Sequence, residues 1–413
     1  MTEAQTPLNQ TPPDQPRPEP ALPTEPSSDW LGQTTGVGSS MLRSLVMPAL
    51  ALVTALAVGA VIIALSDVDS LALLFSEPGT ALSSMGREVV TAYRALFRGA
   101  LGSVYAISET LFSATPLIFA SLGVALGFRA GLFNIGGLGQ MLMGGMAAVL
   151  VGIYIDLPAL LLVPLTLLAG LAGGMLWGGI PGLLKARTGA HEVITTIMFN
   201  FIAIFLVEWL LTIPLFQEPG RNNPVSMAIE PGARLPRLFG SDYRVTIGFL
   251  IALGAVFLVR WLLFKSSKGF EFRVLGLNQQ AGRYAGMSVP TLITLAMALA
   301  GGLAGLAGTN QVMGLEPFKA SPELAGTVGF DAITVALLGR SHPVGVLWAA
   351  LLFGALKAGG REMQGAAQVP LDLVVVLQAL IVIFVAAPAL VRAIYRMKGQ
   401  SERPTQLTKG WGS

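Results

Sequence analysis

The chain of 413 residues is 53% hydrophobic and only 12% charged, holds 49 glycines and carries a formal charge of +3; its mean hydropathy is +0.68 and its pI about 9.3. Soluble domains hold about 25% charged residues, so this composition excludes them and points to a chain that crosses a membrane many times. The absence of cysteine and the presence of only two histidines, His191 and His342, exclude disulfides and thiol catalysis, and neither a metal nor a cofactor is expected. Lys and Arg are scattered between apolar runs, which argues against nucleic acid as a partner.

Residues 1–40 are rich in proline and nearly free of large apolar side chains, the composition of a disordered cytoplasmic tail. The uncharged run 44–65, preceded by Arg43, is too long for a cleaved signal and reads as a first membrane span. Further apolar runs lie at 111–127, 135–153, 157–184, 193–211, 245–264, 291–309, 323–339, 344–358 and 370–391. The fold class expected is therefore an all-α polytopic membrane protein with eight to ten transmembrane helices. The runs at 323–339 and 344–358 are short and interrupted by Gly339 and Pro343, which suggests half-helices or a re-entrant pair. The halves opening "FNIGGLGQ" and "GFDAITVALLG" share a Gly-rich, short-helix character, as an inverted repeat would, without enough identity to define one.

With the N-terminus inside and ten crossings, Lys and Arg outnumber acids on the inner side and acids outnumber them on the outer side, as the positive-inside rule requires. This topology makes 41–395 the membrane domain, 66–110 and 212–244 long outer loops, 265–290 a cytoplasmic connection and 396–413 a second cytoplasmic tail.

Four stretches are candidates for function. "GLFNIGGLGQMLMGG", 131–145, places Asn134, Gln140 and several glycines in an apolar region, either for close helix crossing or as an interrupted helix beside a polar path. "HEVITTIMFNFIA", 191–203, opens a helix on which Thr196 and Asn200 share a face. There Glu192 suits the positive end of the helix dipole, and Glu208, near the far end of the same helix, snorkels to the interface. In "GFDAITVALLGRSHPVG", 329–345, Asp331 is either an intramembrane carboxylate or an ordinary N-terminal acid, and both readings stand. The connection 265–290 is too apolar for a linker: Phe270, Phe272, Val274, Leu275 and Leu277 need a surface, which short amphipathic helices docked on a soluble partner would supply. No phosphate-binding loop, nucleophile elbow, zinc-protease or dinucleotide fingerprint occurs, so any ATP hydrolysis would belong to another polypeptide and the chain is not expected to be an enzyme.

These stretches, in this order, resemble the permease subunits of bacterial ABC importers in the branched-chain amino acid and simple sugar permease superfamily, nucleoside-type branch. Phe133, Asn134, Ile135, Gly136, Gly139 and Gln140 carry the first motif. Glu192, Val193, Thr195, Thr196, Met198, Asn200, Ile202 and Ala203 carry the second. Arg273, Gly276, Asn278, Ala281, Tyr284, Ala285 and Gly286 match the third, and Gly329, Phe330, Asp331, Ile333 and 335–339 the fourth; Gly137, Leu138 and His191 depart from the pattern.

The resemblance implies a multi-pass permease of the bacterial inner membrane with both termini cytoplasmic. Its implied partners are cytoplasmic ATPase subunits, a second and non-identical permease subunit, an extracytoplasmic solute-binding lipoprotein and membrane lipid. It also implies a solute path formed by helices at 131–150, 193–211 and 323–340, with Asn134, Gln140, Thr195, Thr196, Asn200 and Asp331 along it. Gly269, Glu271, Arg273, Gly276, Asn278, Tyr284 and Gly286 would couple the loop at 265–290 to the ATPase. Nucleosides are the expected solute; a simple-sugar permease and an ion-coupled secondary transporter using Asp331 or Glu208 are the alternatives.

Overall fold

A computed structural model describes residues 37–220 and 223–396. Among them there is no strand, only two isolated bridges, Gln217 with Ser226 and Arg237 with Thr246. The helices are α1 (Val37–Ser66), α2 (Val68–Leu73), α3 (Pro78–Leu101), α4 (Val104–Arg129), α5 (Gly137–Tyr154), α6 (Ala159–Thr188), α7 (Glu192–Leu210), α8 (Gly248–Lys265), α9 (Ser267–Leu277), α10 (Gln279–Tyr284), α11 (Val289–Gly314), α12 (Val328–Leu338), α13 (Pro343–Ala367), α14 (Leu371–Ala386) and α15 (Pro388–Ile394). Eight of them, α1, α4 to α8, α11 and α13, are long and apolar enough to cross a membrane, while α12 and α14 are apolar but shorter. The chain is an all-α, multi-pass membrane protein.

The chain divides into Met1–Val46, of which the described part is the opening of α1, and Met47–Ser413, which holds everything below. Most of the expected N-terminal tail and the expected tail 396–413 lie outside the described residues. Helix α1 nevertheless starts at Val37, inside the stretch expected to be disordered.

Helix α4 lies at the centre of the larger unit, its side chains from Thr115 to Gly127 buried throughout. Lipid supplies no hydrophobic drive between helices, so close approach of backbones has to hold such a bundle. Glycines provide it: a Cβ on Gly305 of α11 would stand 2.5 Å from the Gly170 carbonyl oxygen of α6, and Gly144 of α5 abuts Gly305 from the other side. The second core, from Ala51, Ala55, Ala92, Leu96, Leu356, Leu377 and their neighbours, joins α1, α3, α13 and α14.

Two expectations change. The stretch 66–110, expected as a long outer loop, is largely helical: α3 buries Ala81, Met85, Ala92, Ala95, Leu96 and Ala100, with Leu96 against Gly359 of α13. The short run at 344–358 is part of a full helix of 25 residues. Lys357 and Arg361 ended the apolar run without ending the helix, because Gly354 and Gly359 let α4 and α3 pack closely on it. Its partner α12, of 11 residues, is a half-length helix as expected, but it begins at Val328 after an irregular descent. The connection 265–290 forms α9 and α10, each started by its own cap: Ser266 Oγ accepts from the Gly269 amide at 3.0 Å and Asn278 Oδ1 from the Ala281 amide at 3.0 Å.

Candidate translocation site

At the end of α4 the chain reverses at Gly131, whose φ of +70° favours glycine. Leu132 then returns alongside Gly127, its amide donating to that carbonyl at 2.9 Å, and α5 starts only at Gly137. The amides and carbonyls freed by this break must find partners away from water. Asn134 Oδ1 accepts from the Gly136 amide at 2.9 Å, and Asn200 Oδ1, reaching over from α7, accepts from the Gly139 amide at 2.9 Å. Asn200 Nδ2 donates to the Ile135 carbonyl at 2.9 Å, and the Ile135 amide donates to Thr196 Oγ1 at 3.3 Å. Asn134 and Gln140 exchange two hydrogen bonds, of 3.0 and 3.1 Å.

These four side chains are 0 to 4% exposed. The structure brings them together, but around the break, with their polar atoms turned to the protein. Thr195 is half-buried and bonds back to the His191 and Glu192 carbonyls. Helix α7, expected along the path, turns Thr196 and Asn200 toward α5 and presents Ile194, Met198, Phe201, Phe205 and Trp209 outward, an apolar face suited to lipid.

Asp331 belongs to the start of α12. It stands in the first turn of α12, and the other end of α12 is tied to α4, where Arg129 Nε donates to the Ser341 carbonyl at 3.0 Å and Nη2 to that of Arg340 at 3.3 Å. Eleven residues reach about 16 Å, so the start of α12 lies well inside the bundle. There Asp331 Oδ2 takes hydrogen bonds from Lys357 Nζ and Thr327 Oγ1, both 2.7 Å. Lys357 sits near the middle of α13. Asp331 is thus an N-terminal acid of α12 that a lysine of α13 neutralises.

Sequence reasoning missed what continues from this pair. One turn along α13, Arg361 bonds Ser113 Oγ at 2.9 Å and approaches Glu109 at 3.3 Å. Arg244 pairs with Glu109 at 2.9 Å and lies 4.3 Å above the Phe112 ring. Glu109 Oε1 is buried without a hydrogen-bond partner among the described residues. These groups form a polar track from mid-bundle to the start of α4. Its sequence signal was the spacing of Lys357 and Arg361, which places two cations on one face of a helix.

At the other end of α4, the sequence-predicted coupling residues divide into buried and outward-facing. A side chain on Gly276 would meet the Gly131 amide nitrogen at 2.9 Å, and one on Gly269 the backbone of Leu262 and Leu263. Arg273 lies 5.7 Å over the Phe264 ring, as does Arg129, and His342 stacks on the same ring at 5.2 Å. Burial and the nearby Arg129 and Arg260 charges hold the His342 imidazole below its usual pKa. Glu271 pairs with Lys268 at 2.8 Å, and Gly286 takes φ +81°. Phe270, Leu277 and Tyr284 point outward, Tyr284 being 93% exposed.

Comparison with known proteins identifies this architecture. Residues 106–386 match the family described as branched-chain amino acid transport system, permease component. The chain is 39% identical to the guanosine ABC transporter permease protein NupP of Bacillus subtilis, over 86% of this chain and 96% of the relative. It is 38% identical to the glucose ABC transporter permease protein TsgB13 of Haloferax volcanii, over 74% and 82% of the two chains. It is 34% identical to the nucleoside ABC transporter permease protein NupB of Lactococcus lactis, over 80% and 92%. No solved structure matches. The chain belongs to the family of permease components typified by branched-chain amino acid transport systems.

Proposed function

We propose that this protein is a membrane subunit of an ATP-driven importer that carries nucleosides across the bacterial inner membrane. The observation that carries the reading is its likeness to a guanosine and a nucleoside permease over nearly the whole of each chain. The glucose permease among its relatives keeps a simple sugar as the second solute class. Guanosine and glucose share a ring bearing adjacent hydroxyls.

The end bearing α9 and α10 faces the cytoplasm in this reading, and the exposed Phe270, Leu277 and Tyr284 dock the ATPase. The opposite end, with 212–244, receives solute from an extracytoplasmic binding lipoprotein. The solute path runs along the polar track of Asp331, Lys357, Arg361 and Glu109. About a quarter of the Asp331 and Lys357 side chains is exposed, 23 and 26%. Charges within a membrane bundle do not face lipid, so a second permease subunit, a non-identical relative, closes the path on that side. Asn134, Gln140, Thr196 and Asn200 serve the path indirectly, by holding the break at the start of α5. An ion-coupled carrier is less well supported, because Asp331 is already neutralised by Lys357.

The test is uptake of labelled guanosine into vesicles holding the permease with its neighbouring ATPase, second permease and binding protein. Uptake should require ATP and loaded binding protein. Uptake that survives ATP depletion and collapses with an uncoupler would refute the proposal.

A further inference from the structure

We propose that Thr327, Asp331 and Lys357 form a polyol-reading element in the path, one that engages adjacent hydroxyls of the solute's sugar ring rather than its base; this rests on the reading above.

The geometry supplies complementary groups side by side. Asp331 Oδ2 is occupied by Lys357 Nζ and Thr327 Oγ1, each at 2.7 Å, and Lys357 Nζ also reaches Thr327 Oγ1 at 3.2 Å. Asp331 Oδ1 accepts no hydrogen bond among the described residues, and an ammonium has three donors, of which these contacts use two. An anionic acceptor therefore stands next to a cationic donor. Adjacent hydroxyls fit that pair: one donates to Oδ1, and the oxygen of its neighbour accepts from Nζ. Charge-assisted bonds of this kind are stronger than neutral ones.

The charges of Asp331 and Lys357 cancel within the pair, which suits an uncharged polyol at this point of the track; Arg361 and Arg244 share Glu109 farther along. Exposure leaves the pair within reach: both side chains remain partly open, with Thr327 exposed beside them. Asn134, Gln140 and Asn200 are buried with their polar atoms turned to the protein, whereas the Asp331 and Lys357 side chains are partly open.

The experiment uses the complete transporter in proteoliposomes with saturating loaded binding protein, so that the binding protein's own preference drops out of the maximal rate. Guanosine is compared with 2′-deoxyguanosine in the wild type and in Asp331→Asn and Lys357→Met variants, with assembly checked by copurification of the subunits. The wild type should move guanosine about fivefold faster than its deoxy analogue, the worth of one hydrogen bond. Both variants should slow guanosine more than the analogue, so that the preference shrinks toward unity. Equal losses for both solutes in assembled variants would overturn the proposal, since a brace affects all solutes alike. If the variants fail to assemble, the wild type decides by itself: equal maximal rates for the two solutes overturn the proposal. If the wild type moves glucose and no nucleoside, the nucleoside reading fails, and the same comparison with 2-deoxyglucose decides this one.

Discussion

Lys357 Nζ stands 2.7 Å from Asp331 Oδ2, joining the middle of a full-length helix to the first turn of a half-length one. The pair balances two partly buried charges, one from each helix. Removing one leaves its partner uncompensated, at a cost of about 2 kcal/mol after allowance for partial exposure. Lys357→Met should lower the melting temperature of the purified permease, and the exchange Asp331→Lys with Lys357→Asp should recover part of the loss. Thermal unfolding in detergent measures both, and an exchanged variant as unstable as the single ones would count against the pair.

Asn200 supports the break at 131–136 through two bonds of 2.9 Å, one given and one received. Asn200→Leu should destabilise the permease by about 2 kcal/mol, since two buried backbone groups lose their partners. Asn200→Asp retains the acceptor for the Gly139 amide and loses the donor. Melting curves of the two variants should rank Leu as the worse.

Gly276 packs where a side chain would collide with the Arg129 carbonyl oxygen. Gly276→Leu should therefore push α9 away from the end of α4 while leaving the spans inserted. If α9 docks the ATPase as proposed, solute-stimulated ATP hydrolysis by the assembled transporter should fall about tenfold or more, because misplacement of a docking element disrupts productive alignment. Normal stimulation with normal membrane levels would remove α9 from the coupling route.

His342, stacked on Phe264, has its imidazole held below the usual pKa. The unfolded chain then binds the proton more readily than the folded one, so stability is complete above about pH 6.5 and is lost as pH falls toward the lower folded value. His342→Phe keeps a ring on Phe264 and removes the titration. Its melting temperature should fall less between about pH 7.5 and about pH 5.5 than that of the wild type.

Membrane class and the short helices of 265–290 were legible because each depends on nearby residues: apolar runs of sufficient length, or clustered apolar side chains in a polar connection. The half-length α12 was legible for the same reason, since Gly339 and Pro343 bound it within one stretch. Helix α13 was misjudged because hydropathy counts Lys357 and Arg361 against a helix, while packing on α4 and α3 sustains it.

What the sequence determined by itself was therefore what local chemistry settles: an all-α membrane chain, its interruptions, and which residues are polar inside it. Tertiary structure alone decided what those polar residues face. Asn134, Gln140, Thr196 and Asn200, which the sequence allows at a helix crossing or beside a path, fold around a break, because buried backbone groups there need partners. Asp331 acquired its role from Lys357, which lies 26 residues away along the chain and one hydrogen bond away in space. Spacing along a sequence cannot report that pairing, since it arises where one helix stops half-way and another continues past it.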